Sequence, residues 1–184
     1  MDPIDNDAEA AIPEPVADDL RTQIEAALMA ADEPLTIRHF SGLCGAEGSD
    51  GVENVLRKLA QHYETVGSAF HLVELAGGYQ LMTRPEFHPW LVRTGHGTAP
   101  MRLSSAASET LAIIAYRQPI MRANIEAIRG VQSSEVLHVL LERGLVRIVG
   151  RHESLGRPVL YGTTKRFMQV FGLKSLGDLP SIDS

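Results

Sequence analysis

Seven histidines, one cysteine, a scatter of serines and a few arginines beside a tyrosine are the side chains here that could do chemistry, and their spacing decides how much. The histidines are His39, His62, His71, His88, His96, His138 and His152. No two stand at the i, i+4 interval that would set a pair of imidazoles on one helical face for a metal, so no metal site is expected. Cys44 is the only cysteine. An intramolecular disulfide and a thiolate zinc site are thereby excluded. It falls on the apolar face of a short predicted helix with no electropositive neighbour to lower its pKa, which marks a small buried hydrophobe rather than a nucleophile. Gly95-His96-Gly97 has the glycines of a phosphate loop but lacks the preceding strand, the following helix and the lysine. Ser104, Ser105, Ser133 and Ser134 stand where helix caps are needed, and none lies in a nucleophile-elbow pattern. No catalytic constellation and no cofactor site emerge.

The residues left over are better suited to holding a partner. Arg151 and Arg157 lie in a predicted loop, Arg151 to Pro158, and Tyr161 follows on the next strand. Arg and Tyr are enriched among residues that dominate binding energy, so Arg151, Arg157 and Tyr161 are the candidate partner-binding set. The alternative stays open that the arginines decorate a hairpin and that Tyr161 belongs to a core.

The elements that carry these residues can be read from periodicity. Leu20, Ile24, Leu28 and Ala31 predict a helix over 19–31, capped by Asp18 or Asp19. Ile37 to Leu43 predicts a second, closed by Gly45. Asp50 and Glu53, in capping-box spacing, open a third with Val52, Leu56, Leu59, Ala60 and Tyr63 on its inner face. The period then becomes alternating, and strands Phe70–Leu75 and Tyr79–Thr83 are expected across Ala76-Gly77-Gly78. After a glycine- and proline-bearing linker the order repeats. Ser104 or Ser105 caps a helix carrying Leu111, Ile113, Ile114 and Tyr116, and Pro119 stops it. Arg122 to Arg129 is a short helix ended by Gly130. Ser133 or Ser134 starts the next, with Val136, Leu137, Leu140 and Leu141 inward. Strands Leu145–Val149 and Val159–Gly162 flank the arginine-bearing loop, a helix runs from Lys165 to about Phe171, and Leu173, Leu176 and Leu179 pin the end.

Pro34 to Gly45 (PLTIRHFSGLCG) indeed recurs in register as Pro119 to Gly130 (PIMRANIEAIRG). The chain therefore reads as one motif used twice: a mainly α protein with small β-hairpins (α+β), made of two tandem winged helix-turn-helix domains. The expected divisions are a disordered acidic tail at 1–17, a first domain at 18–93, a linker at 94–102, a second domain at 103–180 and a tail at 181–184. A length of 184 residues suits two such small units.

Charge separates them. Residues 1 to 101 hold 6 Lys and Arg against 16 Asp and Glu, and the remainder hold 11 against 7. The third helix of a winged helix usually reads DNA with basic side chains. In the second unit that helix offers Gln132, Ser133, Glu135, His138, Glu142 and Arg143 to solvent, and in the first Glu53, Asn54, Arg57, Lys58, Gln61 and Glu64, a poor match for a polyanion. Only the second wing, with Arg151, His152 and Arg157, suits nucleic acid. No apolar run reaches the roughly 20 residues that span a bilayer, and the N-terminus is acidic where a signal peptide would be basic, so a cytoplasmic protein is expected.

The run from Leu103 to Pro180 resembles the bacterial segregation and condensation protein B family, ScpB, most specifically in ETLAIIAYRQPI, IRGV, LLERGLV, GRPVLYGTT and FGLKSLGDLP. Glu25 to Thr36 and VELAGGYQLMTRPEF at Val73 to Phe87 extend the likeness. The resemblance implies two winged-helix domains, a homodimer made through the N-terminal domains, no enzymatic activity, and binding to the kleisin ScpA, and through it Smc, in the complex that condenses and segregates the nucleoid during cell division. Met121, Gln132-Ser133 and Lys165-Arg166 depart from the family pattern. The last pair makes weak, non-specific DNA contact more plausible; a winged-helix transcription regulator is the alternative from another class.

Overall fold

The computed structural model describes residues 20–44, 49–96 and 101–181. Its first half runs α1 (Leu20–Ala30), α2 (Ile37–Cys44), α3 (Ser49–Thr65), β1 (Phe70–Leu75), β2 (Gly78–Thr83), a 3-10 turn Pro85–Phe87 and α4 (His88–Arg93). The second runs α5 (Ser105–Arg117), β3 (Ile120–Met121), α6 (Arg122–Arg129), α7 (Ser134–Glu142), β4 (Val146–Arg151), β5 (Val159–Thr163), α8 (Lys165–Phe171) and a 3-10 turn Leu176–Asp178. The fold is α+β, with small antiparallel sheets, as expected. One sheet pairs β1 with β2, and the other has the order β3-β5-β4.

Buried apolar side chains form two clusters. In the first, α3 turns Val52, Leu56, Leu59 and Tyr63 onto Ile24 and Leu28 of α1 and Phe40 of α2, with Leu72, Tyr79 and Leu81 of the hairpin against them. The spacing of those four α3 residues keeps them on one stripe, and burying each large aliphatic one contributes about 2 kcal/mol relative to exposure. In the second, Leu111 and Ile114 of α5 meet Ile125, Leu137, Leu140, Leu145, Val146 and Phe167, with Leu173 and Leu179 at the margin. Leu176, expected to help pin the end, is instead exposed.

Local rules account for the ends of the elements. The Ala107 N–H donates to Ser104 Oγ, so Ser104 is the cap of α5. Gly130 takes a left-handed φ of 70° after α6. At α7 the expectation of a serine side-chain cap is corrected: Ser133 is fully buried, its backbone N–H donates to the Glu126 carboxylate at 3.0 Å, and its hydroxyl receives Arg129. Helix α3 starts at Ser49, which places Asp50 in its first turn rather than at the cap.

The β1–β2 turn also differs from expectation. Leu75 pairs with Gly78, leaving Ala76 and Gly77 as the two loop residues, with φ of 52° and 77°. Gly78 lies in the strand. A Cβ there would stand 2.8 Å from the Leu35 carbonyl oxygen, because Leu35 bridges to Tyr79 through two backbone hydrogen bonds. The acidic tail 1–17, capping by Asp18 or Asp19, the Gly45 stop, linker residues 97–100, residues 182–184 and the side chain of Cys44 lie outside the described residues.

Candidate functional site

The hairpin β4–β5 positions the candidate set. Val146 pairs with Thr163, Arg147 with Gly162 and Ile148 with Tyr161; a bulge at Val149 then shifts the register so that Gly150 meets Leu160 and Arg151 meets Val159. The loop beyond is held by its own bonds. His152 N–H donates to the Pro158 carbonyl at 2.8 Å, Arg157 N–H donates to the Ser154 carbonyl at 2.9 Å, and Arg157 sits at φ 41° after Gly156 at 84°. The Arg151 guanidinium donates to the Arg157 carbonyl at 3.1 Å. Arg151, expected in the loop, is instead the last residue of β4 because the ladder runs on to Val159, and it meets the loop residue Arg157 at the exposed end of the hairpin.

Tyr161 stands apart from them. It is half-buried, pairs with Ile120 of β3 as well as with Ile148, and packs against the second core cluster. Its outer side lines a cavity of about 330 Å3 with Met121, Arg122, Ala123, Glu126, Pro158 and Val159. The sequence reading thus placed two of its three candidates on one feature and the third on the neighbouring strand, beside α6.

Basic side chains that the candidate set omitted are frequent in the same stretch of the sequence. From Arg143 to Arg166 the cations are Arg143, Arg147, Arg151, Arg157, Lys165 and Arg166, against the one carboxylate of Glu153. None of these cations forms an ion pair among the described residues. Apolar groups are interspersed: Ile148 is 53% exposed, Val149 is exposed, and Leu155 at the tip is wholly so. Strand alternation in the sequence could have flagged Ile148; Leu155 had no such signal.

The helix that would read DNA does not share this character. Glu135, His138 and Glu142 are exposed on α7, and His138 Nε2 lies 3.3 Å from the Glu142 carboxylate. Arg143 turns its guanidinium onto the Arg102 carbonyl at 2.7 Å. Ser133, expected at the surface, is buried. Ahead of α7, Ile128 in the last turn of α6 and Val131 in the following turn are 57% and 55% exposed, an apolar rather than cationic pair.

Perturbed titrations are few and lie elsewhere. Burial pushes the Tyr63 phenol up to about 12, helped by its hydrogen bond to Glu25, and burial likewise raises Tyr79, followed by the charges of Glu74 and Glu53. Lys174 is raised by its hydrogen bond to Glu74. Among the described residues no group of three or more His, Cys, Asp or Glu side chains is placed to hold a metal ion. Neither is any helix of the described residues long and apolar enough to cross a membrane.

Comparison with known proteins places the chain. The family model for "Segregation and condensation complex subunit ScpB" matches residues 22–182. Segregation and condensation protein B of Syntrophotalea carbinolica is 48% identical over 164 residues, covering 89% of this chain and 82% of the relative. That of Symbiobacterium thermophilum is 45% identical over 160 residues, 87% of this chain and 72% of the relative. Among solved structures, ScpB from Mycobacterium tuberculosis is 34% identical, covers 87% of this chain and 99% of that one, and superposes with a TM-score of 0.40. The sequence identity, sustained from α1 to the closing turn, carries the conclusion: this chain belongs to the ScpB family of segregation and condensation complex subunits.

Proposed function

We propose that this protein is a non-catalytic subunit of the Smc-ScpA-ScpB complex, binding the kleisin ScpA as a homodimer and acting in chromosome condensation and segregation during cell division, in the cytoplasm and at the nucleoid. The observation that carries the reading is the identity of 48% over 89% of the chain to a protein of that name. The order of elements is consistent with two tandem winged helix-turn-helix domains, 18–93 and 103–180, joined by the linker 94–102. In this reading the first makes the dimer and the second grips ScpA through the β4–β5 wing, with Arg151 and Arg157 where the strands pass into the loop and Tyr161 on β5. A duplicated small domain in a closed two-fold dimer suits such a role, because several modest attachments to one extended polypeptide raise the effective concentration of each.

The test is sedimentation of the pure protein, alone and with ScpA. A dimer that takes ScpA into a heavier complex is expected, and a monomer that ignores ScpA would end the proposal. Alanine at Arg151, Arg157 and Tyr161 together is expected to weaken co-purification with ScpA while the circular dichroism spectrum stays unchanged. The unpaired cations of the second wing favour one competing reading, a DNA-binding regulator. A mobility-shift titration separates the two, since a regulator discriminates its operator from random duplex by orders of magnitude.

A further inference from the structure

Strand β4 has a partner on one side only, because the sheet order is β3-β5-β4. The bonds flanking the ladder show which backbone groups are left over. Thr164 N–H donates to the Leu145 carbonyl at 3.2 Å, and His152 N–H donates to the Pro158 carbonyl at 2.8 Å. In an antiparallel ladder bonded and non-bonded pairs alternate, so Arg147 and Gly150 bond to β5 while Val146, Ile148 and Arg151 turn their N–H and C=O outward. Thr163 fits the same alternation from the other side, its N–H donating to Gln118 Oε1 at 2.7 Å. Val146 is buried at 2% exposure, so the open part of the edge is Ile148 and Arg151, whose outward groups meet no partner among the turn, loop and cap backbone bonds of the described residues. An open edge of this kind is a template for another strand.

The side chains around the edge select what would add there. Antiparallel self-pairing of two copies brings Arg147 and Arg151 of one close to those of the other, which like-charge repulsion opposes. DNA would use the guanidinium groups but leave the edge amides, Ile148, Val149 and Leu155 unsatisfied, and the neighbouring α7 presents Glu135 and Glu142. An extended polypeptide that alternates carboxylates with apolar side chains matches all three: hydrogen bonds for the edge, anions for the unpaired cations, and cover for the exposed aliphatic groups. We infer that β4 receives such a segment of the partner polypeptide as a fourth strand of this sheet, by β-strand addition. This rests on the reading that the chain binds ScpA, and supplies how.

Amide hydrogen exchange on the full chain, alone and saturated with ScpA, tests it. The outward amides of Ile148 and Arg151 are expected to exchange rapidly in the free protein and at least about tenfold more slowly in the complex. Ile148→Pro removes one outward donor without touching a bond to β5 and is expected to weaken ScpA binding by about tenfold or more. Arg147→Glu with Arg151→Glu, which leaves the backbone intact, is expected to do the same if the proline variant fails to fold. ScpA binding with no slowing at β4 overturns the strand addition and leaves the proposed function standing, whereas no ScpA binding by the unaltered protein overturns both. Slow exchange at β4 in the free protein means that this chain or a second copy already covers the edge. Slowing by random duplex DNA but not by ScpA assigns the edge to nucleic acid. Either result overturns the inference.

Discussion

The Lys174 ammonium lies 3.0 Å from the Glu74 carboxylate, and this pair joins the end of the second half to the hairpin of the first. Two backbone bonds accompany it: Ala76 N–H donates to the Leu173 carbonyl at 2.8 Å, and Gly77 N–H to the Lys174 carbonyl at 2.9 Å. The strap is anchored to its own half as well, since the Tyr116 hydroxyl donates to the Pro180 carbonyl at 2.8 Å. The prediction is that Glu74→Lys lengthens the distance between fluorophores placed on α1 and α5, and that adding Lys174→Glu restores it. High salt should move the unaltered protein in the same direction as Glu74→Lys, because both partners are exposed enough to be screened. In Glu74→Gln the Lys174 pKa should fall back toward its ordinary value by NMR titration.

Tyr63 donates its hydroxyl proton to Glu25, and burial together with that bond holds its pKa up to about 12. The fold therefore favours the neutral phenol over the unfolded chain, whose tyrosine ionises near 10. Stability from this source is complete below pH 10 and is lost as the pH rises from 10 toward 12. Denaturant titrations across that range should show a downward slope that Tyr63→Phe reduces, at a cost of about 1 kcal/mol at neutral pH for the lost hydrogen bond.

Glycine positions separate a steric need from an incidental small residue. Gly78→Ala drives a Cβ to 2.8 Å from the Leu35 backbone oxygen, which cannot move without breaking the Leu35–Tyr79 bridge, and is expected to cost about 2 kcal/mol. Gly51→Ala meets nothing within 4 Å on α3 and is expected to stabilise by about 0.5 kcal/mol. Thermal unfolding of the two variants checks both signs.

Arg129 is the buried ion of the second half. Its side chain is 7% exposed, with Nη2 3.1 Å from Glu109 and Nη1 3.1 Å from Ser133 Oγ. Arg129→Ala should destabilise by about 2 kcal/mol in urea unfolding, short of the cost of breaking a fully buried pair because Glu109 is mostly exposed and can rehydrate. Arg129→Lys should recover little, since one ammonium cannot reach both partners of the fork.

Most of the element pattern was legible in the sequence because the longer helices, such as α3, carry their own apolar stripe and stops such as Pro119 and Gly130 mark their ends. Strand Phe70–Leu75 and helix Arg122–Arg129 fall where the periodicity put them. The misses share a cause. Strand β3 has two residues and exists through its pairing with β5, and α4, six residues after a proline-led turn, buries none of its side chains, so neither leaves a periodic trace. The cap of α7 depends on Glu126, seven residues upstream, a partnership visible only once α6 and α7 are folded together. The candidate site was half legible: Arg151 and Arg157 meet at the end of one hairpin, as proximity in sequence implies, whereas the unbonded edge of β4 follows from strand order, which no local signal encodes.

The tip of the first hairpin is sealed, Ala76 being only 6% exposed beneath the strap, while the tip of the second projects freely. Evolution and engineers accordingly meet two unequal loops. Extra residues between Leu75 and Gly78 would have to dislodge Leu173 and Lys174, so relatives that keep this strap should hold that turn at constant length. The stretch around Leu155 dislodges no other element when it grows or shrinks, but it lies on the wing proposed to hold ScpA, so a reporter spliced there would report on that contact rather than leave it alone.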